Sequence, residues 1–415
     1  MRKHLAILFA CLFVVMIGYG LTLPVLTFYI ERLALAEGAT AQQTSMHVGI
    51  LTGVFALMQF LFAPLWGRWS DRVGRRPLFV VGLSGYAVTN VLFGLGTDLV
   101  MLYTARILGG ILSAAVLPAA TAYVADVTSE KQRGKGMAWL GSAISLGLVV
   151  GPAMGAGLSR LDWHVTYRFG HFYADDFSTP FFAAALFGLL ALFLAMVWLH
   201  ESIHTPGVEL LQRQALHERT LKPKISRLLM QESFGKLLGM SFLGQFALTL
   251  FEGTFALHGQ RVLSFGAAQM GLVFVICGLV MAAAQASVVG WLIGRLGEKI
   301  LLSTGFGLTG IGLIFLMTTQ SLTLILVYVA IFALGMAALN PSLAALVSNR
   351  AGEHAGSALG LQSAVNSLGQ AGGPLVGGLL LAWYIHVPYL LTALPLIATA
   401  ILIGRKGWLK KRMVY

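Results

Sequence analysis

The chain has 415 residues, of which 57% are hydrophobic and only 11% charged, with a mean hydropathy of +0.81. A soluble globular chain carries about 25% charged residues, so this is a polytopic membrane protein, and its continuous apolar runs fit helices rather than a barrel of alternating strands. The net charge of +12 does not mark a nucleic-acid binder, because the basic residues fill the gaps between apolar runs and form no stripe with interleaved aromatics.

A helix needs roughly 20 apolar residues to cross a bilayer. Twelve segments satisfy this in chain order: 5–30, 47–66, 77–96, 99–124, 138–158, 180–199, 234–257, 267–293, 300–318, 321–348, 356–381 and 387–404. The fold class expected is an all-α membrane protein of twelve transmembrane helices in two pseudo-symmetric six-helix bundles. Arg2 and Lys3 before the first run imitate a signal peptide, and Ala34-Leu35-Ala36 imitates a cleavage site. However, a signal core is about 7–15 residues, and this run is longer, so it reads as an uncleaved first helix. Cys11 and Cys277 lie inside spans with no ligand spacing and serve packing.

Between the second and third spans, the stretch 67–76 reads Gly-Arg-Trp-Ser-Asp-Arg-Val-Gly-Arg-Arg. A charged side chain costs several kcal/mol at the bilayer centre, so this is a short cytoplasmic hinge. With the N-terminus inside, the inner segments hold 23 of the 28 Lys and Arg and the outer ones hold 4. That bias places both termini in the cytoplasm. Residues 159–179, with Asp162, His164, Arg168, His171, Asp175 and Asp176, form a polar outer loop whose irregular spacing does not make a metal site. Residues 200–233, with charges of both signs and two prolines, form a cytoplasmic linker between bundles 1–199 and 234–415.

The halves repeat. Gly67 and Gly74 have counterparts in Gly290 and Gly297, and Pro118 in Pro341, each 223 residues on. Gly151-Pro152-x-x-Gly155 returns as Gly373-Pro374-x-x-Gly377, 222 residues on. Parallel repeats of this kind are a transporter architecture with substrate near the midplane. The second copy of the hinge keeps the glycines and loses Asp71.

On these residues the chain resembles the major facilitator superfamily, and within it the twelve-helix drug:proton antiporters of the tetracycline and multidrug efflux branch. Gly67-x-x-x-Asp71-Arg72-x-Gly74-Arg75-Arg76 matches the signature between the second and third helices. Arg106-x-x-Gly109-Gly110 is similar to the arginine motif of the fourth, with Gly109 where glutamine is usual. Gly141, Gly147, Gly151, Pro152 and Gly155 resemble the exporter motif of the fifth. In the first helix Thr27 stands where the family has a second proline after Pro24-Val25. Tetracycline exporters carry acidic residues in N-terminal helices; Met16, Gly18 and Tyr19 occupy that depth here, which points to broader or different apolar substrates.

The resemblance implies a latch at 67–76 that holds the cytoplasmic helix ends together in one state, with Asp126 as partner of Arg72 or Arg75. Gly67 and Gly74 permit a tight turn; Asp71 can pair with arginines or accept from a helix N-terminus. The bland alternative, a loop that only anchors topology, explains the arginines but not the glycines or Asp71. Arg106, inside a span, is a functional residue by default, bonding a carbonyl or tuning a carboxylate, unless it snorkels outward. Glu252 is the one carboxylate well inside a span. A carboxyl among apolar groups is tolerated neutral and costly charged, which suits proton exchange; a gate or a structural hydrogen bond is the alternative. Glu31 beside Arg32, an interfacial pair, is the second coupling candidate, and His258 reads as a surface residue. The glycines and prolines at 147–157 and 372–378 make close, bent helix contacts. Tyr19, Phe55, Gln59, Asn90, Gln245, Phe246, Gln285, Asn340, Gln362 and Asn366 are candidates for a substrate cavity of apolar walls with few polar groups, though each can instead join helices.

The function expected is proton-coupled efflux of small amphiphilic compounds by alternating access, in the cytoplasmic membrane of a bacterium, by a monomer. No catalytic constellation, phosphate-cradling loop or metal motif stands out, so no enzyme, cofactor or nucleic-acid partner is expected. The alternatives are a facilitator-type transporter of a sugar, metabolite or lipid with different coupling, and a non-transporting membrane sensor.

Overall fold

The computed structural model describes residues 2–128, 130–158, 167–169, 172–174, 177–202, 232–351 and 355–405. Its helices are α1 (Arg2–Ala36), α2 (Ala41–Val73), α3 (Arg75–Gly94), α4 (Leu99–Ser113), α5 (Val116–Val127), α6 (Glu130–Leu158), α7 (Thr179–Trp198), α8 (Glu232–Leu263), α9 (Ala267–Ala284), α10 (Gly290–Leu296), α11 (Glu298–Phe315), α12 (Leu322–Ala351), α13 (Ala355–Trp383) and α14 (Val387–Gly404). A π-helical turn, Gln285–Val289, joins α9 to α10.

Every one of the twelve expected spans is helical. Among the described residues ten helical segments are long and apolar enough to cross a membrane; α4 and α5 count as one of them, and α6 carries a shorter apolar stretch, Trp139–Gly155. Large apolar side chains stay exposed along the spans, Val100, Leu186 and Val88 most of all within the first seven helices. In water such a belt would be costly; in a bilayer it is the lipid-facing surface.

Three expectations change. The stretch 67–76 is not a loop: α2 continues through it to Val73, and Gly74 alone leaves the helical conformation. The fourth span is broken at Ala114–Ala115, just before Pro118, whose ring cannot follow an unbroken helical turn. The segment between α6 and α7 carries a small antiparallel hairpin, β1 (Tyr167–Phe169) with β2 (Phe172–Ala174), in register Arg168 to Tyr173. Aromatic residues on either side of Gly170 favour that conformation. The side chains of the polar residues at 162–176 and nearly all of the linker 200–233 lie outside the described residues.

Local chemistry sets the helix ends. Thr40 caps α2 reciprocally: its hydroxyl accepts from the Gln43 amide at 3.2 Å, and the Gln43 side chain accepts from Thr40 N at 2.8 Å. Asp98 caps α4 by accepting from Met101 N at 2.8 Å.

The chain forms two compact units. The first holds Met1–Pro206, Glu252–Gly278 and Pro374–Ile385; the second holds Gly207–Phe251, Leu279–Gly373 and His386–Tyr415. In the first, α1 lies directly on α6. A Cβ on Gly151 would stand 2.5 Å from the Ile17 carbonyl oxygen, and one on Gly155 would stand 2.8 Å from that of Leu21. Backbones approach that closely only where side chains are missing. In the second, Gly373 plays the same part against α8, where a Cβ would stand 2.7 Å from the Phe246 carbonyl oxygen. Pro152 and Pro374 sit inside their helices, as the repeat requires.

Candidate functional site

Two groups of polar residues in the first unit deserve a site's description. The first is built on the turn between α2 and α3. Gly74 has φ +112°, a conformation that strains any residue with a Cβ, and its N–H donates to the Ser70 carbonyl at 3.1 Å. The chain reverses at once into α3, which starts on Arg75. That side chain is buried (7% exposed) and gathers three partners. Its Nε donates to Asp126 Oδ2 at 3.0 Å, its Nη1 donates to Ser70 Oγ at 3.1 Å, and Nη1 pairs with Asp71 one helical turn back. Of the two partners offered for Asp126, Arg75 is the one engaged.

The N-terminus of α3 is capped by Glu201, not by Asp71. Its two oxygens accept from Arg75 N at 2.9 Å and from Arg76 N at 3.2 Å. A carboxylate there meets the positive end of the helix dipole and two otherwise unpaired N–H groups. The end of α7 and the segment after it are held by further bonds: Ser202 Oγ donates to Asp126 Oδ2 at 2.9 Å, Tyr123 donates to the His200 carbonyl at 2.9 Å, and Arg76 donates to the Met196 carbonyl at 2.7 Å. So α2, α3, α5 and the end of α7 meet at one charged knot. Arg72 is exposed, and Gly67 lies inside α2 near Pro118, so neither takes part in the turn. Glu201 is invisible to a motif reading because it lies 126 residues beyond Arg75.

The second group surrounds Arg106 of α4. Its guanidinium lies over the face of Phe93 at 4.6 Å and of Phe55 at 5.4 Å. Its Nε is buried and finds no acceptor among the described residues. The carbonyl bond expected of it is therefore absent there, and aromatic faces take its place. Tyr19 of α1 lies 6.3 Å from Phe55, ring to ring, and within electrostatic reach of both Arg106 and Glu252 of α8. Tyr86 of α3 is also within reach of Arg106. Tyr19, Phe55, Arg106 and Glu252 all keep part of their surface open at mid-helix, as residues lining an interior space do. Phe93 and Tyr86 were not anticipated. The available signal was Asn90 of α3, which they flank at helical spacing.

The remaining cavity candidates divide. Asn90 donates to the Tyr86 carbonyl at 2.8 Å within its helix, and Gln59 donates to Ser113 Oγ at 3.2 Å across to α4. In the second unit Gln362 is buried and donates to Ser241 Oγ at 3.1 Å, joining α13 to α8. Gln245, Phe246, Asn340 and Asn366 of that unit are half-buried, with the Asn366 oxygen lacking a partner among the described residues, and Gln285 opens the π turn.

At the opposite end of α1, Glu31 is buried and pairs with Arg261 of α8 at 3.5 Å; Arg261 also donates to Ser45 Oγ at 2.7 Å and to the Ala41 carbonyl at 3.0 Å. Arg32, the expected partner of Glu31, has its guanidinium over the rings of Tyr29 and Phe177. His258 is buried at 1% exposure, not on the surface, because α8 runs past the apolar segment to Leu263 and stays packed there.

The family description Major Facilitator Superfamily matches residues 8–299 and 283–411. The chain belongs to the major facilitator superfamily. The transporter is 32% identical to multidrug resistance protein 2 of Bacillus subtilis, over 92% of this chain and 90% of that protein. It is 25% identical to the quinolone resistance protein NorA of Staphylococcus aureus, over 94% and 92%. Its fold is shared with a D-xylose–proton symporter at a TM-score of 0.74 and 16% identity, covering 97% of each chain. The human organic anion transporter MFSD10 matches at a TM-score of 0.67 and 22% identity, covering 97% of this chain and 99% of that one. The transporter is thus a multi-pass membrane protein with multidrug efflux relatives along its full length, and it is not an enzyme.

Proposed function

We propose that this transporter exports small amphiphilic compounds in exchange for protons, by alternating access, as a monomer in the bacterial cytoplasmic membrane with both termini inside. The observation that carries the proton coupling is Glu252: a carboxylate inside a membrane-spanning helix, partly open and in the same compact unit as Arg106. An intramembrane ionisable group of this kind is kept for function. Such a group can take a proton from one side and give it up when its surroundings or a cationic substrate change.

The charged knot at Gly74 is the state-dependent part. It joins helix ends through bonds to one buried guanidinium, so releasing Arg75 loosens four elements together. The close contacts of Gly147, Gly151 and Gly155 with α1 keep that pair moving as one body. The aromatic and amide groups near Arg106 line the substrate path.

Inside-out vesicles given a pH jump and a panel of amphiphilic dyes test the reading. Wild type should move dye and protons in opposite directions, and Glu252→Gln should leave dye flux indifferent to the gradient. Gradient-driven export that survives Glu252→Gln would move the coupling to Glu31 or Asp126; dye flux in wild type without proton counterflow would overturn the antiport.

A further inference from the structure

The bonds of the charged knot join elements of the first repeat only, α2, α3, α5 and the end of α7. At the far ends of α1 and α2 the first repeat is instead fastened to the second. Segments Glu252–Gly278 and Pro374–Ile385 belong to the second repeat by sequence, yet they share a compact unit with Met1–Pro206. Arg261 of α8 makes three of the links: to the buried Glu31 at 3.5 Å, to Ser45 Oγ at 2.7 Å and to the Ala41 carbonyl at 3.0 Å. One helical turn further along α2, Gly49 meets α13 backbone to backbone. A Cβ there would stand 2.6 Å from the Pro374 carbonyl oxygen, and one on Gly378 would stand 2.9 Å from that of Ser45. Ala41, Ser45 and Gly49 are spaced by four, so they form one stripe of α2, and α8 and α13 engage it in succession.

We propose that Arg261 is a reversible lock between the repeats: while it holds Glu31, Ser45 and Ala41, the far ends of α1 and α2 stay shut against α8 and α13, and its release opens that side. This rests on the export reading above, which places that side outside the cell and makes the opening the step by which cargo leaves. Three features let the closure part. Helices that meet glycine on glycine have no side chains to disengage. The ion pair is long, and removing two charges from water offsets much of their attraction. The second oxygen of Glu31 is buried without a partner among the described residues, a cost that water entering beside it removes. Arg261 keeps 22% of its side chain exposed, so water already reaches the lock from its rim. Glu31 thereby serves as the catch that Arg261 grips, and Arg32, turned onto the rings of Tyr29 and Phe177, leaves it to that grip.

The test measures the distance between spin labels on Ala36→Cys, in the last turn of α1, and Ser264→Cys, just beyond α8, both exposed positions. The full chain is used in nanodiscs of zwitterionic lipid, with the buried Cys11 and Cys277 replaced by alanine. The parent protein should show mainly one short distance. Arg261→Gln should shift the ratio of short to long distances about tenfold toward the long one, and Arg261→Lys, which keeps the charge, should restore most of the short population. Gly49→Ala, whose methyl group has no room against Gly378 and Pro374, should lengthen the distance with Arg261 intact. An Arg261→Gln protein that keeps the parent ratio overturns the proposal; if that variant fails to fold, Gly49→Ala decides in the same way. Dye exchange in proteoliposomes with a pH gradient separates the lock from the export reading. Exchange by the parent protein with no lengthening in the variants defeats only the lock. The expected lengthening in a protein that exchanges no dye defeats the export reading and leaves the lock standing.

Discussion

Gly74 and Gly297 occupy equivalent places in the two halves and adopt nearly the same backbone, φ +112° and ψ 160° against φ +76° and ψ 158°. Both interrupt a helix for one residue and start the next at once. Around Gly74 the space is filled: a Cβ would stand 2.6 Å from the Glu201 carboxylate, and Arg75 is locked by Asp71, Ser70 and Asp126. Around Gly297 a Cβ would meet nothing within 4 Å among the described residues. Arg295 lies over the exposed Trp291 ring at 4.3 Å, and Glu298 accepts a long bond of 3.4 Å from Asn349. The turn therefore belongs to the repeated fold, while the charged knot belongs to one copy. With similar backbones and different side chains at the two turns, the proposed latch has its charges in the first half.

The largest effect expected from that asymmetry is at Asp71. Asp71→Asn removes a charge from a buried guanidinium, a loss of roughly 1–3 kcal/mol, and should abolish export in vesicles while membrane insertion, measured by the amount of protein in the membrane fraction, is unchanged. The second copy has no carboxylate at that place to remove. Next, Gly74→Ala should lower export at least tenfold and reduce thermal stability in detergent by more than Gly297→Ala. At both positions alanine would be strained by about 1–3 kcal/mol, because positive φ with extended ψ is open essentially to glycine alone, but only the first drives a methyl group into Glu201. Equal losses would mean that the filled surroundings of Gly74 do not matter. Glu201→Gln keeps the shape and removes the charge at the start of α3, worth about 0.3–1 kcal/mol; export should fall a few-fold, with the loss deepened by alanine. Smallest, Glu298→Gln and Arg295→Gln should alter stability by no more than about 0.5 kcal/mol and leave export near wild type. A large loss at either position would show that the second turn also carries a switch.

Much of this molecule was legible as sequence. The positions of the twelve helical segments, ten of which are long and apolar enough to cross a membrane, the repeat and the charged stretch follow from apolar run length and from the placement of arginines. The details of the stretch did not follow. Its charges imply an aqueous loop, yet α2 carries Asp71 and Arg72 on its last turn, because a helix keeps its own backbone bonds whether lipid or water surrounds it. Arg106 was identifiable as a charge out of place, but its aromatic seat was not, since Phe55 and Phe93 come from two other helices. Glu31 had Arg32 beside it in sequence and Arg261 beside it in space.

The sequence by itself determined the class of molecule, its spans and its family, because a bilayer imposes one requirement, a long apolar helix, that is written in contiguous residues. Only the tertiary structure decided which charges meet. Glu201 at the start of α3, Asp126 on Arg75, and Arg106 over the rings of Phe93 and Phe55 each depend on helices distant in the chain. Such pairings are set by which faces pack together, and a linear pattern of apolar residues does not specify them.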